Sequence, residues 1–520
     1  MLDRLFGFKI HDYLQALGLF ILAVGVPLNK VLMSIGTIWL AANLLLKADF
    51  KTYWNTWKQN LVFWFVGLTL ALHLFGLFYS DDLSYAFRDL NTKLPLFVIP
   101  VALIAYPIQK HFFNLILYGF LAALMITSIV NISYMMSNEL EDYREFSLFG
   151  SHIRYSLLIV TGVLISIYFW MKNSKLWFVF MAFIAWFLYY TLISQVLSGY
   201  IALFFLFIGL LIFLVRKFQN LWLKNTTIIV VLSLLAVSGM QMYRYLQPNR
   251  EVLVFENLPE RSEAGGLYYH DTTLLWFENG NHIMSFISGE ELKSSWEKRS
   301  EIRFGTQLQN GFKVDDILVR YMASKGITKD SVGMLQMTSS DIENVENGLS
   351  SIVYTYGTIK QKSAELKSEV LHYSLGGDPD GNSLLQRIEH WKAGASIISK
   401  NWIFGVGTGD VQAVFNEEYK NSNTQLDENN WNRTHNQFMT FWIAFGILGF
   451  ILFTGFWFLF LWKNIRLNNL IGIGFTLIAI ASFLSEDTIE TQQGVTYIAL
   501  FLGLCSMMNM QANNDKIGED

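Results

Sequence analysis

The chain has 520 residues, of which 52% are hydrophobic and only 15% charged. Soluble domains carry about a quarter charged residues, so the composition excludes an ordinary soluble protein. A formal net charge of −4 gives no footing for nucleic acid, and the single cysteine, Cys505, excludes an intramolecular disulfide or a cysteine zinc site.

Apolar runs near the ~20-residue length that crosses a bilayer recur along the chain. About twelve are expected, at roughly 12–28, 31–47, 61–79, 92–106, 112–134, 153–171, 176–193, 197–215, 226–245, 434–461, 467–485 and 493–510. The first run leads straight into the second, so no cleaved signal peptide is expected. The fourth is the weakest, interrupted by Pro95 and Pro100. The domains read as 1–245 with spans one to nine, 246–433 as a polar insertion, 434–510 with spans ten to twelve, and 511–520 as a short tail. The fold class expected is an all-α polytopic membrane protein with a mixed α/β insertion between spans nine and ten.

Lysine and arginine placement sets the expected orientation. Arg4 and Lys9, then Lys47, Lys51 and Lys58, then Lys110, then Lys172 and Lys175, then Arg216, Lys217 and Lys224, then Lys463 and Arg466 fill alternate connections. The intervening ones are poorer in cations, and Asp81-Asp82 and Glu139-Leu140-Glu141-Asp142 are acidic. Both termini are therefore expected in the cytoplasm and the insertion outside.

Polar residues collect on that outer side. They include Arg88 and Lys93, Ser151-His152-Ile153-Arg154, Ser194-Gln195 and Ser198, His435-Asn436, and the stretch Ser485 to Gln493. Mid-membrane positions are nearly free of charge, with His73 and Asn131 the main polar exceptions. A transporter places ionisable groups near the midplane; an enzyme acting on a lipid-linked substrate places them at one interface, as here. Within the insertion, β-prone runs flank Asn279-Gly280, a hairpin turn dipeptide. Helices are expected in GEELKSSWEKRS, in VDDILVRYMASKG with Gly326 as its stop, and from Ser383 onward. That last helix carries Arg387, either toward lipid headgroups or merely solvated; periodicity does not decide. The stretch Gly405-Val406-Gly407-Thr408-Gly409-Asp410 follows a helix rather than a strand, so it fails as a nucleotide fingerprint. It reads as a structural turn, with a phosphate-approaching loop as the alternative. His152, His270, His282, His372 and His390 show no metal-ligand spacing.

The motifs R-I-E-H-W-K-A-G, N-W-I-F-G-V-G-T-G-D, T-H-N-Q-F and F-G-I-L-G-F closely resemble the O-antigen ligase and O-antigen polymerase superfamily. S-H-I-R-Y-S-L-L-I and L-S-E-D-T-I-E-T-Q-Q-G-V resemble its Bacteroidetes-like branch. The resemblance covers most of the chain.

It implies a C-type glycosyltransferase membrane fold in the bacterial inner membrane. It implies transfer of glycan from undecaprenyl diphosphate to a lipid A-core or similar acceptor hydroxyl, with inversion, on the periplasmic face, in lipopolysaccharide biosynthesis. No metal or other cofactor is implied; the partners are the lipid-linked glycan, the acceptor and membrane lipids. His435 matches the family histidine and suits a general base. Arg387 and Arg154 are candidates for the charge on the leaving diphosphate. Lys93, Arg88, Asn436, Gly407, Gly409 and Glu486 are candidates for binding diphosphate or glycan. Relatives carry an arginine where this chain has Ser194-Gln195-Val196-Leu197-Ser198-Gly199; Lys93, Arg88 and Arg433 are the cations left to replace it. A polymerase, a protein O-oligosaccharyltransferase and, from another class, a transporter of the lipid-linked sugar are the alternatives.

Overall fold

The structure is a computed structural model and describes residues 10–138, 146–172, 175–246, 258–274, 276–375, 379–380 and 383–517. The N-terminal cations Arg4 and Lys9 and the acidic connection 139–142 lie outside the described residues.

The chain divides into two compact units. The first contains Met1–Ile228, His390–Thr424 and Trp431–Asp520; the second contains Ile229–Glu389 and Gln425–Asn430. The polar insertion is thus divided: its stretch from 390 to 424 packs with the apolar unit, not with the remainder of the insertion.

The elements leading to the insertion are α1 (Ile10–Leu28), α2 (Lys30–Lys47), α3 (Phe50–Trp57), α4 (Leu61–Gly76), α5 (Leu83–Ala105), α6 (Lys110–Ser137), α7 (His152–Lys172), α8 (Trp177–Ser194), α9 (Leu197–Lys217) and α10 (Leu221–Leu246). Short polar residues cap and separate the apolar runs. Asn29, Asn60 and Asp82 accept hydrogen bonds from the backbone N–H groups of Leu32, Val62 and Tyr85, satisfying donors that the first helical turn leaves open.

The second unit takes in α10 from Ile229 onward and then the hairpin β1 (Phe277–Glu278) and β2 (Asn281–His282), in which Phe277 pairs with His282. Asn279 and Gly280 both take positive φ, 48° and 85°, the backbone that a two-residue hairpin turn requires. Then come α11 (Gly289–Trp296), α12 (Val314–Ser324), α13 (Ser331–Leu335), α14 (Ser339–Glu346) and α15 (Thr358–Ser374). Trp296, Leu318, Tyr321, Met322 and Val345 form a small core of their own. At its edge Glu291 accepts from the Ser262 hydroxyl, from Ser331 and from Gly266 N–H. These bonds overcome burial and hold its carboxyl at about 2.

The chain then enters α16 (Ser383–Asn401), α17 (Val411–Ser422), α18 (Gln437–Arg466), α19 (Leu470–Ser485) and α20 (Gln492–Ile517). Nine helices among the described residues are long and apolar enough to cross a membrane, which makes this a multi-pass membrane protein. The other three places in the expected twelve hold α5, α10 and the 16-residue α19.

Helix α18 is kinked at Gly446, whose φ of 62° and ψ of −159° are non-helical. The segment after α16 fills the kink: Val406 N–H donates to Ile443 O, Gly407 N–H to Ala444 O, and Ile447 N–H to Trp402 O. A backbone pairing thus replaces the helical bonds lost there.

Candidate active site

The start of α5, the start of α18 and the α19–α20 connection converge on one buried ionic cluster. Asp89 and Lys93 lie one turn apart on α5, and Lys93 Nζ donates to both Asp89 carboxylate oxygens at 2.7 Å. Its third contact is Glu490 Oε2, at 3.1 Å. From the other side Arg433 Nη1 reaches the same oxygen at 3.3 Å, and Gln437 Nε2 donates to Glu490 Oε1 at 3.0 Å. Gln437 Oε1 in turn accepts from Ile489 N–H at 2.9 Å, which fixes the amide. Two carboxylates face two cations, so the cluster is formally neutral. Such compensation is what allows charges to persist away from water. Burial opposes ionisation of Glu490, but Lys93 and Arg433 outweigh it and hold the carboxyl well below its usual range.

His73, on α4, closes the cluster from below. Its Nδ1 is 2.8 Å from Thr69 O and its Nε2 is 3.7 Å from Asp89 Oδ2. The cavity among His73, Asp89, Lys93, Arg433 and Glu490 measures about 10 Å³, about the room of one water. This part is packed support rather than a substrate chamber.

Beside it lies a more open group. His435 has a φ of 48°, a left-handed backbone that costs a side-chain-bearing residue about 1–2 kcal/mol. Such strain persists where surrounding contacts hold it, and here they do. Thr434 Oγ1 accepts from Asn436 N–H at 3.2 Å, Asn436 Oδ1 caps α18 through the N–H groups of Phe438 and Met439, and Trp391 Nε1 donates to Thr434 O at 2.9 Å. His435 Nδ1 stands 3.5 Å from Glu486 Oε2, with the imidazole about one-third exposed and the carboxylate buried. The His390 ring is 5.5 Å from it, and His390 Nδ1 is 2.8 Å from Tyr419 Oη. Arg154, at the start of α7, lies within electrostatic reach of Glu486 and Asp487. Its buried Nε has no hydrogen-bond partner among the described residues. Asp487 accepts from Thr440 Oγ1 at 2.6 Å, and burial still pushes its carboxyl above the usual value.

Residues 331–454 match the family model for O-antigen ligase. The chain carries an O-antigen ligase domain. This is the superfamily that the motifs resemble; no curated protein matches the chain. The ligase match takes in Arg387, His390, Arg433, His435 and Gln437. Asp89, Lys93, Arg154, Glu486 and Glu490 lie outside it and reach four of those five positions' unit only through the fold of the membrane helices.

Set against the ligase expectations, His435, Glu486 and Arg154 come together. Arg387 lies on α16 in the second unit and is half-buried. Lys93 does not stand ready for a diphosphate: it is 3% exposed, and all three of its contacts go to carboxylate oxygens. Asn436 is engaged as the α18 cap, with its amide nitrogen 3.4 Å from Leu484 O. Gly407 and Gly409 offer no open phosphate cradle. The N–H groups of Gly405, Val406 and Gly407 bond to Asn401, Ile443 and Ala444, and that of Gly409 to Ser80 Oγ. Asp410 completes this docking by accepting from Asp81 and Asp82 N–H, so the glycine-rich stretch ties α16 to the α4–α5 turn. Arg88 is exposed on α5.

Sequence reasoning passed over Asp89, Gln437 and His390. The four-residue spacing of Asp89 and Lys93 was a readable ion-pair signal. His390 carried none, because its partners Tyr419 and His435 are distant in sequence.

Proposed function

We propose that this protein transfers a glycan from a polyprenyl diphosphate carrier to an acceptor hydroxyl on the periplasmic face of the inner membrane, as an O-antigen ligase acting on a lipid A-core or similar acceptor. The observation that carries the reading is the strained His435, which lies inside the O-antigen ligase match and faces Glu486. His435 takes the proton of the acceptor hydroxyl as the oxygen attacks the anomeric carbon. Glu486 steadies the resulting imidazolium, the role a carboxylate plays beside a catalytic histidine.

The bond from the anomeric carbon to the diphosphate oxygen breaks on the opposite face, so configuration inverts. The leaving diphosphate needs fixed cations. Arg154, with an unengaged buried N–H, fills that role; Arg387 is a candidate from the family motif alone. Lys93 acts at one remove, by holding Glu490 and through it Arg433 and Gln437 at the base of α18.

The test is the surface glycolipid profile of a deletion strain complemented with wild type, His435→Ala, Arg154→Ala or Arg387→Ala. Wild type should restore long glycan on the lipid A-core, while the variants leave it on the polyprenyl carrier. Core bearing a single repeat in the deletion strain would identify a polymerase instead. Full rescue by all three variants would remove the site from consideration.

A further inference from the structure

At the end of the helix bundle opposite the candidate site lies a second cavity, of about 360 Å³. Its position follows from the helices themselves. Arg154 opens α7 and Lys172 closes it, 18 residues or about 27 Å further along. Likewise Leu470 begins α19 while Glu486 follows its other end.

The walls are mainly apolar, from Met171, Phe213, Leu467 and Met508, and the rim carries Lys172 and Lys217. Among the described residues, none of those lining it is acidic. Lys172 Nζ is 3.0 Å from Tyr168 Oη and 3.3 Å from Asn114 Oδ1, both neutral. Lys217 Nζ lies 4.6 Å over the Phe213 ring. The floor is fixed by neutral amides: Asn469 Nδ2 donates to Asn464 and Asn509 at 3.2 and 3.0 Å, while its oxygen caps α19 through Gly472 N–H. The positive end of the α19 dipole therefore adds to the two ammonium groups.

We propose that this cavity binds an anionic glycerophospholipid of the adjacent leaflet, phosphate between Lys172 and Lys217 and the first acyl carbons along Met171, Phe213 and Met508. Two cations, with no carboxylate among the described lining residues, select negative charge. The apolar wall favours a lipid over a soluble anion. The inference is independent of the glycan-transfer reading.

The experiment is thermal unfolding of the purified full chain in detergent, titrated with phosphatidylglycerol or phosphatidylcholine. Phosphatidylglycerol should raise the midpoint and phosphatidylcholine should not. Lys172→Gln and Lys217→Gln should each raise the half-saturating concentration roughly fivefold, and together about thirtyfold. Ala512→Trp, which fills the cavity without touching charge, should abolish the response. Equal shifts from both lipids, or an unaltered phosphatidylglycerol response in the lysine double variant or in Ala512→Trp, would overturn the proposal. So would a shift produced by glycerol phosphate or by undecaprenyl phosphate and not by phosphatidylglycerol.

Discussion

His435 joins two properties that a single substitution can separate. Its backbone is left-handed, which glycine adopts freely and alanine does not. His435→Gly should therefore unfold at higher temperature than His435→Ala, by about 1 kcal/mol of stability, while both lose transfer. Thermal unfolding beside the glycolipid profile reads the two effects; activity in either variant would end the general-base assignment. Asp487 supports a pH prediction. Burial raises its carboxyl above the ordinary 3.8 despite the Thr440 hydrogen bond and the nearby His435 and Arg433, with Glu490 adding to the rise. A carboxyl raised by folding contributes stability that is complete below 3.8 and is lost as pH climbs through its folded value. Asp487→Asn should thus match wild type at the acid end and become the more stable of the two toward pH 7. Glu490 has the opposite sign, its contribution present above 4.5 and lost on acidification, but it is common to both proteins and cancels in the difference. A gap that stays constant with pH would show that Asp487 titrates alike folded and unfolded.

At the scale of elements, α18 is two helical pieces joined at Gly446, and the kink is held by backbone from residues 402–407. A Cβ on Gly446 would lie 2.0 Å from Ile403 O, whereas one on Gly455, in the same helix, meets nothing within 4 Å. Gly446→Ala should sharply lower the yield of folded protein, and Gly455→Ala should leave it unchanged or slightly improved. Size-exclusion yield from matched cultures checks both, and equal yields would mean that α18 tolerates a different bend. The contrast shows what was legible in sequence and what was not. The apolar runs, the Asn279-Gly280 turn and the Gly326 helix stop follow from local propensity, so the sequence discloses them directly. The kink does not, because Gly446 is one glycine among several in an apolar run and its partner is a segment some forty residues earlier. The buried face of α16 is hidden from the sequence for a related reason. Helical spacing aligns the apolar Leu384, Ile388, Trp391, Ala395 and Ile398, yet among the described side chains Leu385, His390, Ala393, Gly394 and Ile397 are the buried ones. A Cβ on Gly394 would meet Thr434 Cγ2 at 2.5 Å and Met439 Cε at 3.0 Å, so the room that glycine leaves for these side chains, rather than the hydropathy of α16 itself, sets that face.

For the whole molecule, the ionic cluster bears on topology. Lys93 near the start of α5, Arg154 at the start of α7, His435 before α18 and Glu490 before α20 all lie at one end of the bundle, which is the end that the cation-poor connections share. Helix α5 must then cross between the α4–α5 turn and α6 for α7 to begin at that same end, despite Pro95 and Pro100 within it. The placement of lysines and arginines predicts that this end faces outside, and that the insertion between α10 and α18 does so too. Labelling decides the point. In a Cys505→Ala background, which removes the buried native thiol, single cysteines replace Leu267 in the second unit and Trp222 at the start of α10, positions 66% and 82% exposed. A membrane-impermeant maleimide applied to spheroplasts should modify the cysteine at 267 and spare that at 222 until the membrane is permeabilised. The reverse pattern would put the cluster on the cytoplasmic face, where a carrier-linked glycan awaiting transfer to an outer acceptor has no access to His435. Labelling of both before permeabilisation would mean that α10 does not cross the membrane, and the parity drawn for the spans ahead of residue 246 would fail with it.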